Sequence, residues 1–398
     1  MIEMKTVKLK KQEGRRALLG HPWVFSNAVD SQHTAVKDLA KGGMVKVIDY
    51  RNQFIGYGYA NPASLICIRL LSRDEKVSID ETWLSEHIET ALQLRQILDQ
   101  TKQDCYRLIY AESDGLPGLV VDRYKDTLIV QINTAGMEMM REQIIAALKQ
   151  ALDPDCIILK NDHKTRDLEQ LDSYVKVVHG TAPTELEIIE GKARFRVPAT
   201  EGQKTGWFYD QTDNRKLLAP YCNQKRVLDV CCYAGGWAIQ AALHGASTVT
   251  AIDSSPTATK LTQSNAELND VSQQITTLTG DAFDNMRKLH QEGQQFDTIV
   301  VDPPAFIQGK KDISKGQEAY RRLNQLALQL LASDGILISC SCSYHLSRAE
   351  LIQQCQRAAR KLGKRLQILH HGYQSADHPI DPNTPESEYL KVVYFRVV

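Results

Sequence analysis

Between Val7 and Leu71 the apolar positions come in short runs, Met44 to Ile48, Phe54 to Tyr59 and Leu65 to Leu71, with Gly42, Gly43, Gly56 and Gly58 between or inside them. Short runs punctuated by glycine predict strands joined by tight turns, so this stretch reads as a small β domain. A polar segment from Ser72 to Asp80 follows, after which Trp83, Ile88, Leu92, Ile97 and Leu98 recur at helical spacing. The next block mixes the two periods, with strands expected over Gly118 to Asp122, Thr127 to Gln131 and Cys156 to Lys160 and a helix over Met137 to Leu152.

Beyond Val197 the rhythm is regular. Apolar strands at Val227 to Cys231, Thr248 to Asp253, Ile275 to Thr279, Phe296 to Asp302 and Gly335 to Ser341 alternate with amphipathic helical segments. Such alternation predicts a mostly parallel sheet covered on both faces, because parallel neighbours need crossover connections. The expected fold class is α/β: an N-terminal β domain over 1–75, a central α+β domain over 76–189 and a Rossmann-like domain over 190–398.

With 398 residues the chain is too long for one ordinary core, which agrees with this division. No run of about 18 uncharged apolar residues occurs, so no membrane span is expected, and the mixed N-terminus lacks the pattern of a signal peptide. The cysteines sit mostly in apolar runs without CxxC spacing, which argues against both a disulfide framework and a zinc knuckle; no metal is expected, and a cytoplasmic location is. Formal net charge is zero, so any nucleic-acid contact must be local. The basic cluster of Lys5, Lys8, Lys10, Lys11, Arg15 and Arg16 is the best local candidate, although a solvated strand edge would carry the same charges.

The segment from Val227 to Trp237 reads as a buried strand running into a turn, with Tyr233, Gly235 and Gly236 leading into a helix. Glycine there lets backbone approach a ligand and points helix-end N–H groups at it. Asp229 lies in that strand and Asp253 ends the next, where a carboxylate can accept ribose hydroxyls, though Ser254, Ser255 and Pro256 behind it would also suit a helix N-cap. The third strand ends in Gly280-Asp281-Ala282-Phe283, another acid beside the same crevice. The turn lacks the G-x-G-x-x-G of pyrophosphate-binding folds, so a nucleoside cofactor without a pyrophosphate, S-adenosylmethionine, fits better than a nicotinamide dinucleotide.

The fourth strand ends Asp302-Pro-Pro-Ala-Phe306, in which two prolines stiffen the loop that carries Asp302 toward the crevice. Phe306 suits either a stacking platform for a base or a core position. The fifth strand brings Cys340 and Cys342 to the same edge. Paired metal ligation is one use for them and burial the commoner one, but a thiol just past a strand end, as Cys342 would be, is better placed to react than to pack.

In order and spacing these segments resemble the bacterial 23S ribosomal RNA cytosine-C5 methyltransferases of the RlmI type. Gly20-His-Pro-Trp-Val-Phe-Ser26 and Ser64-Leu-Ile-Cys-Ile-Arg-Leu-Leu71 look like that family's PUA domain, an RNA-binding β-barrel. Glu112-Ser-Asp-Gly-Leu-Pro-Gly-Leu-Val-Val-Asp-Arg123 is similar to its central domain. Gly202-Gln-Lys-Thr-Gly206 with Asp210, Gln211 and Arg215 resembles the entry to its catalytic domain, and Asp302 to Phe306 and Ser341-Cys-Ser343 resemble its reaction motifs. Thr212 stands where the family usually carries arginine, and Ala305 where many RNA cytosine-C5 methyltransferases carry a second cysteine.

The resemblance implies that Cys342 adds to cytosine C6 while Asp302 holds the N3/N4 edge. It also implies that Asp210, Gln211, Arg215, Asp229, Tyr233, Gly235, Gly236, Asp253, Asp281, Ala282 and Asp302 line the S-adenosylmethionine site. Ribosomal RNA would be met by Lys8, Lys10, Arg15, Arg16 and Phe306, and the reading leaves room for a homodimer. The alternatives are an RNA base-nitrogen methyltransferase, which needs no cysteine, and a non-catalytic RNA-binding protein of ribosome assembly. The target nucleotide, the assembly state of the RNA and the base that removes the C5 proton are not legible in the chain.

Overall fold

The computed structural model describes residues 4–98, 104–201 and 205–398, which divide into two compact units. The first holds the chain through Leu186 together with Pro198–Trp207 and Asp377–Ser387; the second holds Glu187–Val197, Phe208–Ala376 and Glu388–Val398.

In the first unit, β1 (Lys5–Lys8), β2 (Trp23–Phe25), β3 (Met44–Ile48), β4 (Phe54–Ala60) and β5 (Ile66–Ser72) form a sheet in the order β1-β3-β4-β5-β2. Strand β1 runs parallel to β3 and the other pairs are antiparallel. Alternation along β3 buries Val45 and Val47, which join Val7, Val24, Ile68 and Leu70 in one core. This is the small β domain that the glycine-punctuated runs predict.

The central α+β part carries a second sheet, β6 (Cys105–Tyr110), β7 (Leu119–Tyr124), β8 (Thr127–Ile132), β9 (Cys156–Asn161) and β10 (Tyr174–Gly180), in the order β10-β9-β8-β7-β6. Helix Glu81–Ile97 starts at Asp80, whose side chain accepts the Trp83 N–H, and buries Trp83, Leu84 and Ile88 on this sheet. The helix expected over Met137 to Leu152 is instead two, Ala135–Met139 and Arg141–Leu152, broken where Met140 leaves helical geometry at φ −95° and ψ 10°. Packing is tight at the start of the first. Gly136 lies so close to Tyr59 that an added Cβ would stand 1.9 Å from the ring, while the Tyr59 hydroxyl donates to the Pro117 carbonyl at 2.7 Å.

The hairpin β11 (Glu185–Glu190) and β12 (Ala193–Pro198) precedes the large sheet of the second unit. That sheet contains β13 (Arg226–Val230), β14 (Thr248–Asp253), β15 (Ile275–Thr279), β16 (Phe296–Val301), β17 (Leu331–Ser341), β18 (Leu366–Gly372) and β19 (Lys391–Val397), in the order β15-β14-β13-β16-β17-β19-β18. Strands β13 to β17 are parallel, whereas β19 is antiparallel to both β17 and β18. From β13 the order proceeds outward to β14 on one side and to β16 on the other, so the C-terminal ends of β13 and β16, paired at Val230 and Val301, flank the point where the winding reverses. Open α/β sheets bind ligands at such a point.

Replacing Gly136 by alanine is expected to lower stability by about 1–3 kcal/mol, the usual cost of overpacking, because the Tyr59 ring it meets is anchored at its hydroxyl. Thermal unfolding followed by circular dichroism measures it; an unchanged midpoint would mean that the ring moves freely.

Candidate active site

Past β13 the chain turns through three left-handed residues, Cys231 (φ 70°), Tyr233 (φ 50°) and Gly235 (φ 85°), two of which carry side chains. Such conformations cost about 1–3 kcal/mol each and persist only where neighbours hold them. Here the Cys231 and Cys232 N–H groups donate to the Ile252 carbonyl at 2.8 and 3.0 Å, the Tyr233 N–H donates to Asp253 Oδ2 at 2.9 Å, and the Thr262 hydroxyl donates to the Tyr233 carbonyl at 2.9 Å. A Cβ on Gly235 would meet Thr262 Cγ2 at 2.9 Å, and Gly236 then opens the helix Gly236–Leu243. The Tyr233 ring meets Phe208 edge to face at 5.3 Å.

Carboxylates border this turn. Asp229 is fully buried; its Oδ2 accepts the Ala238 N–H at 3.1 Å, while its Oδ1 has no partner among the described residues. Burial, reinforced by the negative charges of Asp302 and Asp253, pushes its carboxyl up to about 8. Asp253, at the end of β14, accepts the Ser255 N–H through Oδ1 at 2.9 Å. The N-cap of helix Pro256–Leu268 is Ser255, not Asp253, so the capping role open to the Asp-Ser-Ser-Pro run falls to the serine. Asp281 is exposed and caps helix Ala282–Gln291 by accepting the Asp284 N–H at 3.1 Å; Ala282 packs against the core.

Asp302 follows β16, its N–H donating to the Val230 carbonyl at 3.1 Å. Its Oδ2 receives the Gln211 amide at 3.0 Å and the Trp237 indole N–H at 3.1 Å. Trp237 is a partner that the sequence reading does not single out; its place in the first turn after Gly236 was the available signal. Phe306 is half-buried, edge to face with Tyr320 at 4.9 Å.

Strand β17 delivers the two thiols differently. Cys340 is fully buried, and burial holds its thiol well above the ordinary value of 9.0. Cys342 is half-buried just past the strand end, with Sγ 3.9 Å from the Pro303 carbonyl, so thiol and Asp302 loop share one edge of the sheet. Its flanks are fixed: the Ser341 hydroxyl donates to the Tyr320 hydroxyl oxygen at 2.9 Å, and Ser343 Oγ accepts the Ile307 N–H at 3.1 Å.

Of the three residues placed at the domain entry, Gln211 donates to Asp302. Arg215 is held bidentate by Glu190 at 2.6 and 2.5 Å and donates to the Phe208 carbonyl at 2.9 Å, with Thr212 also on Glu190 at 3.1 Å. Asp210 takes the Tyr389 hydroxyl. Gly202, Gln203 and Lys204 lie outside the described residues. The basic candidates belong to the first unit: Lys8 ends β1, Lys10 donates to the Asn27 carbonyl at 2.9 Å, Arg15 is exposed, and Arg16 pairs with Glu386 at 3.3 Å and lies over Phe25. Among the described residues no group of His, Cys, Asp and Glu is arranged to hold a metal, and no helix is long and apolar enough to cross a membrane.

The unmatched Asp229 oxygen, and the turn that carries Tyr233, Gly235 and Gly236 past the Asp253 carboxylate into a helix, fit a nucleoside cofactor. A doubly wound sheet with acids at its switch point and no spaced-glycine pyrophosphate turn defines the Rossmann-like class of nucleoside-cofactor transferases. Within that class the chain belongs to the S-adenosylmethionine-dependent methyltransferase family, which residues 130–393 match, while residues 7–73 match the PUA-like domain. Its cofactor is S-adenosylmethionine. Ribosomal RNA large subunit methyltransferase I of Tolumonas auensis is 36% identical over 400 residues, covering 99% of each chain, and the Shigella boydii protein of the same name is 35% identical over 395 residues, covering 98% of each. Among solved structures, SMU.776, described as a methyltransferase complexed with SAH, shares the fold with a TM-score of 0.85 at 21% identity, covering 99% of this chain and 100% of that one.

The Asp229 carboxyl rises from 3.8 to about 8 on folding, so between these values the cofactor-free folded chain keeps a proton that the unfolded chain has lost, and stability falls as pH rises across that window. Asp229→Asn is therefore expected to raise the thermal midpoint of the cofactor-free protein more at pH 8 than at pH 5, while weakening S-adenosylmethionine binding about tenfold or more. Thermal scans at both pH values and calorimetric titration test this. Equal shifts at the two pH values would contradict the ionisation assigned to Asp229.

Proposed function

We propose that this chain methylates C5 of a cytosine in large-subunit (23S) ribosomal RNA, using S-adenosylmethionine and a transient covalent bond between Cys342 and the base. The observation that carries the reading is the half-buried Cys342 thiol 3.9 Å from the Pro303 carbonyl, on the same sheet edge as Asp302. Methylation of a base nitrogen needs no thiol there. The ribosomal RNA substrate is supported by the names of the full-length relatives and by the PUA-like domain.

In this reading Asp229, Asp253 and the turn Tyr233-Gly235-Gly236 hold the cofactor, with Asp281 and Ala282 bordering it and Asp210, Gln211 and Arg215 supporting the wall beside Asp302. When bound, S-adenosylmethionine supplies an electrophilic methyl group. Cytosine C5 is a poor nucleophile, so the Cys342 thiolate first adds to C6; the S–C6 bond forms and the C5–C6 π pair becomes available at C5. Asp302, held by Gln211 and Trp237, accepts from the N4 amino group and in its acid form donates to N3 as negative charge develops there. After methylation, loss of the C5 proton returns the electron pair to the ring and expels the thiolate. Phe306, packed on Tyr320, lines the approach of the base, and Lys8, Lys10, Arg15 and Arg16 contact phosphates.

RNA carrying 5-fluorocytosine, which cannot lose a proton from C5, is expected to trap a protein–RNA adduct whose peptide contains Cys342. Cys342→Ala is expected to cut methyl transfer by at least about a thousandfold, as loss of a covalent nucleophile does, with cofactor binding retained. A Cys342→Ala protein that methylates at a comparable rate would replace this reading by base-nitrogen methylation centred on Asp302.

A further inference from the structure

A buried lysine stands beside the proposed nucleophile. Lys391 opens β19, with Ser341 as its register partner on β17, and only 4% of it is exposed. Its Nζ donates to the carbonyl of Ser343, the residue after Cys342, at 2.6 Å, and to that of Tyr389 at 2.8 Å. Among the described residues no carboxylate lies within ion-pair distance of it, so a charged group has been taken out of water with only carbonyl dipoles to compensate.

Two carbonyls satisfy the two hydrogens of a neutral amine and leave its lone pair free; they also satisfy two of the three hydrogens of an ammonium. Either protonation state therefore fits the same two bonds. Burial pushes the amine down to about 8, an ionised Cys342 pulls it up, Arg348 pushes it down, and Glu388 and Glu350 raise it. A group near 8 exchanges its proton close to neutrality, which an ordinary lysine does not.

We propose that Lys391 is the positioning residue that keeps Cys342 reactive: its ammonium, fixed at the carbonyl of the next residue, stabilises the thiolate through space. The proposal rests on Cys342 being the nucleophile. The thiol proton is released to water, the sulfur keeps the electron pair that forms the bond to C6, and elimination regenerates the thiolate beside the same ammonium, so no further reactant is consumed. The bond to the Ser343 carbonyl ties the lysine to the strand end that carries the thiol, which keeps the two groups in register.

The test is the pH dependence of Cys342 alkylation by iodoacetamide in the full chain without RNA, read by mass spectrometry on the peptide containing Cys342. In the unmodified protein the inflection is expected below 9.0, the ordinary thiol value. Lys391→Met is expected to move it upward by about one pH unit and to slow alkylation at pH 7 about tenfold, with S-adenosylmethionine binding retained. Lys391→Arg keeps the positive charge and is expected to stay within about twofold of the unmodified rate at pH 7. An unchanged profile in a Lys391→Met protein that still binds cofactor overturns the proposal. If that variant does not fold, an inflection at or above 9.0 in the unmodified chain overturns it instead. Because RNA is absent, failure here is separate from failure of the covalent mechanism, which the Cys342→Ala assay reads.

Discussion

A single carboxylate oxygen, Asp302 Oδ2, receives the Gln211 amide and the Trp237 indole, and the backbone of the same residue is pinned to Val230. The segment before β13, the helix after it and the loop after β16 thereby converge on one acceptor. In a low-dielectric setting such an acceptor is expensive to remove, since two buried donors would be stranded. Its charge also has a cost nearby. The fully buried Asp229 is raised by burial and then by the charge of Asp302, which holds Asp229 toward its protonated form. Together with the left-handed Cys231 and Tyr233, this makes the crevice a place where stability is given up for a fixed arrangement of acceptors.

Much of that arrangement is written in local patterns. The parallel strands β13 to β17 are visible because each is an apolar run followed by a turn or an acid, and β14 and β15 begin and end where periodicity places them. Cys340 and Cys342 are separable by depth alone, since one lies inside the strand and the other just past it. What escapes is whatever depends on tertiary contact. The break at Met140 and the close fit of Gly136 against Tyr59, a residue far away in sequence, leave no mark on the periodicity. Strand β18 is largely exposed and carries no clear alternation, so nothing in Leu366 to Gly372 announces a strand until β19 is there to pair with it. Trp237 and Lys391 escape for the same reason: an indole in an apolar helix and a lysine at a strand start look ordinary until their partners are known.

The two faces of the proposed reaction centre are built on different principles. The proposed cofactor side is made of acceptors and turns held by backbone hydrogen bonds. The proposed thiol side is a strand end clamped by hydroxyls, with Tyr320 between Ser341 and Ser343, and closed by a lysine whose direct partners among the described residues are carbonyls. Acceptors suit a cationic cofactor, and a cation suits a thiolate, so the electrostatic division follows the chemistry proposed for each half.

The position of β19 has a consequence for how the protein is made. It is synthesised after β18 but lies between β17 and β18, antiparallel to both. A growing chain can assemble β13 to β17 and their crossover helices while β17 still has an open edge and β18 has no neighbour in the sheet. Only when Lys391–Val397 leaves the ribosome and inserts does the strand bearing the thiol gain its second neighbour and its lysine. Such late, non-local pairing is slow and exposes an edge while it waits. The order of translation therefore completes the proposed methyl-donor crevice first and the thiol's surroundings last.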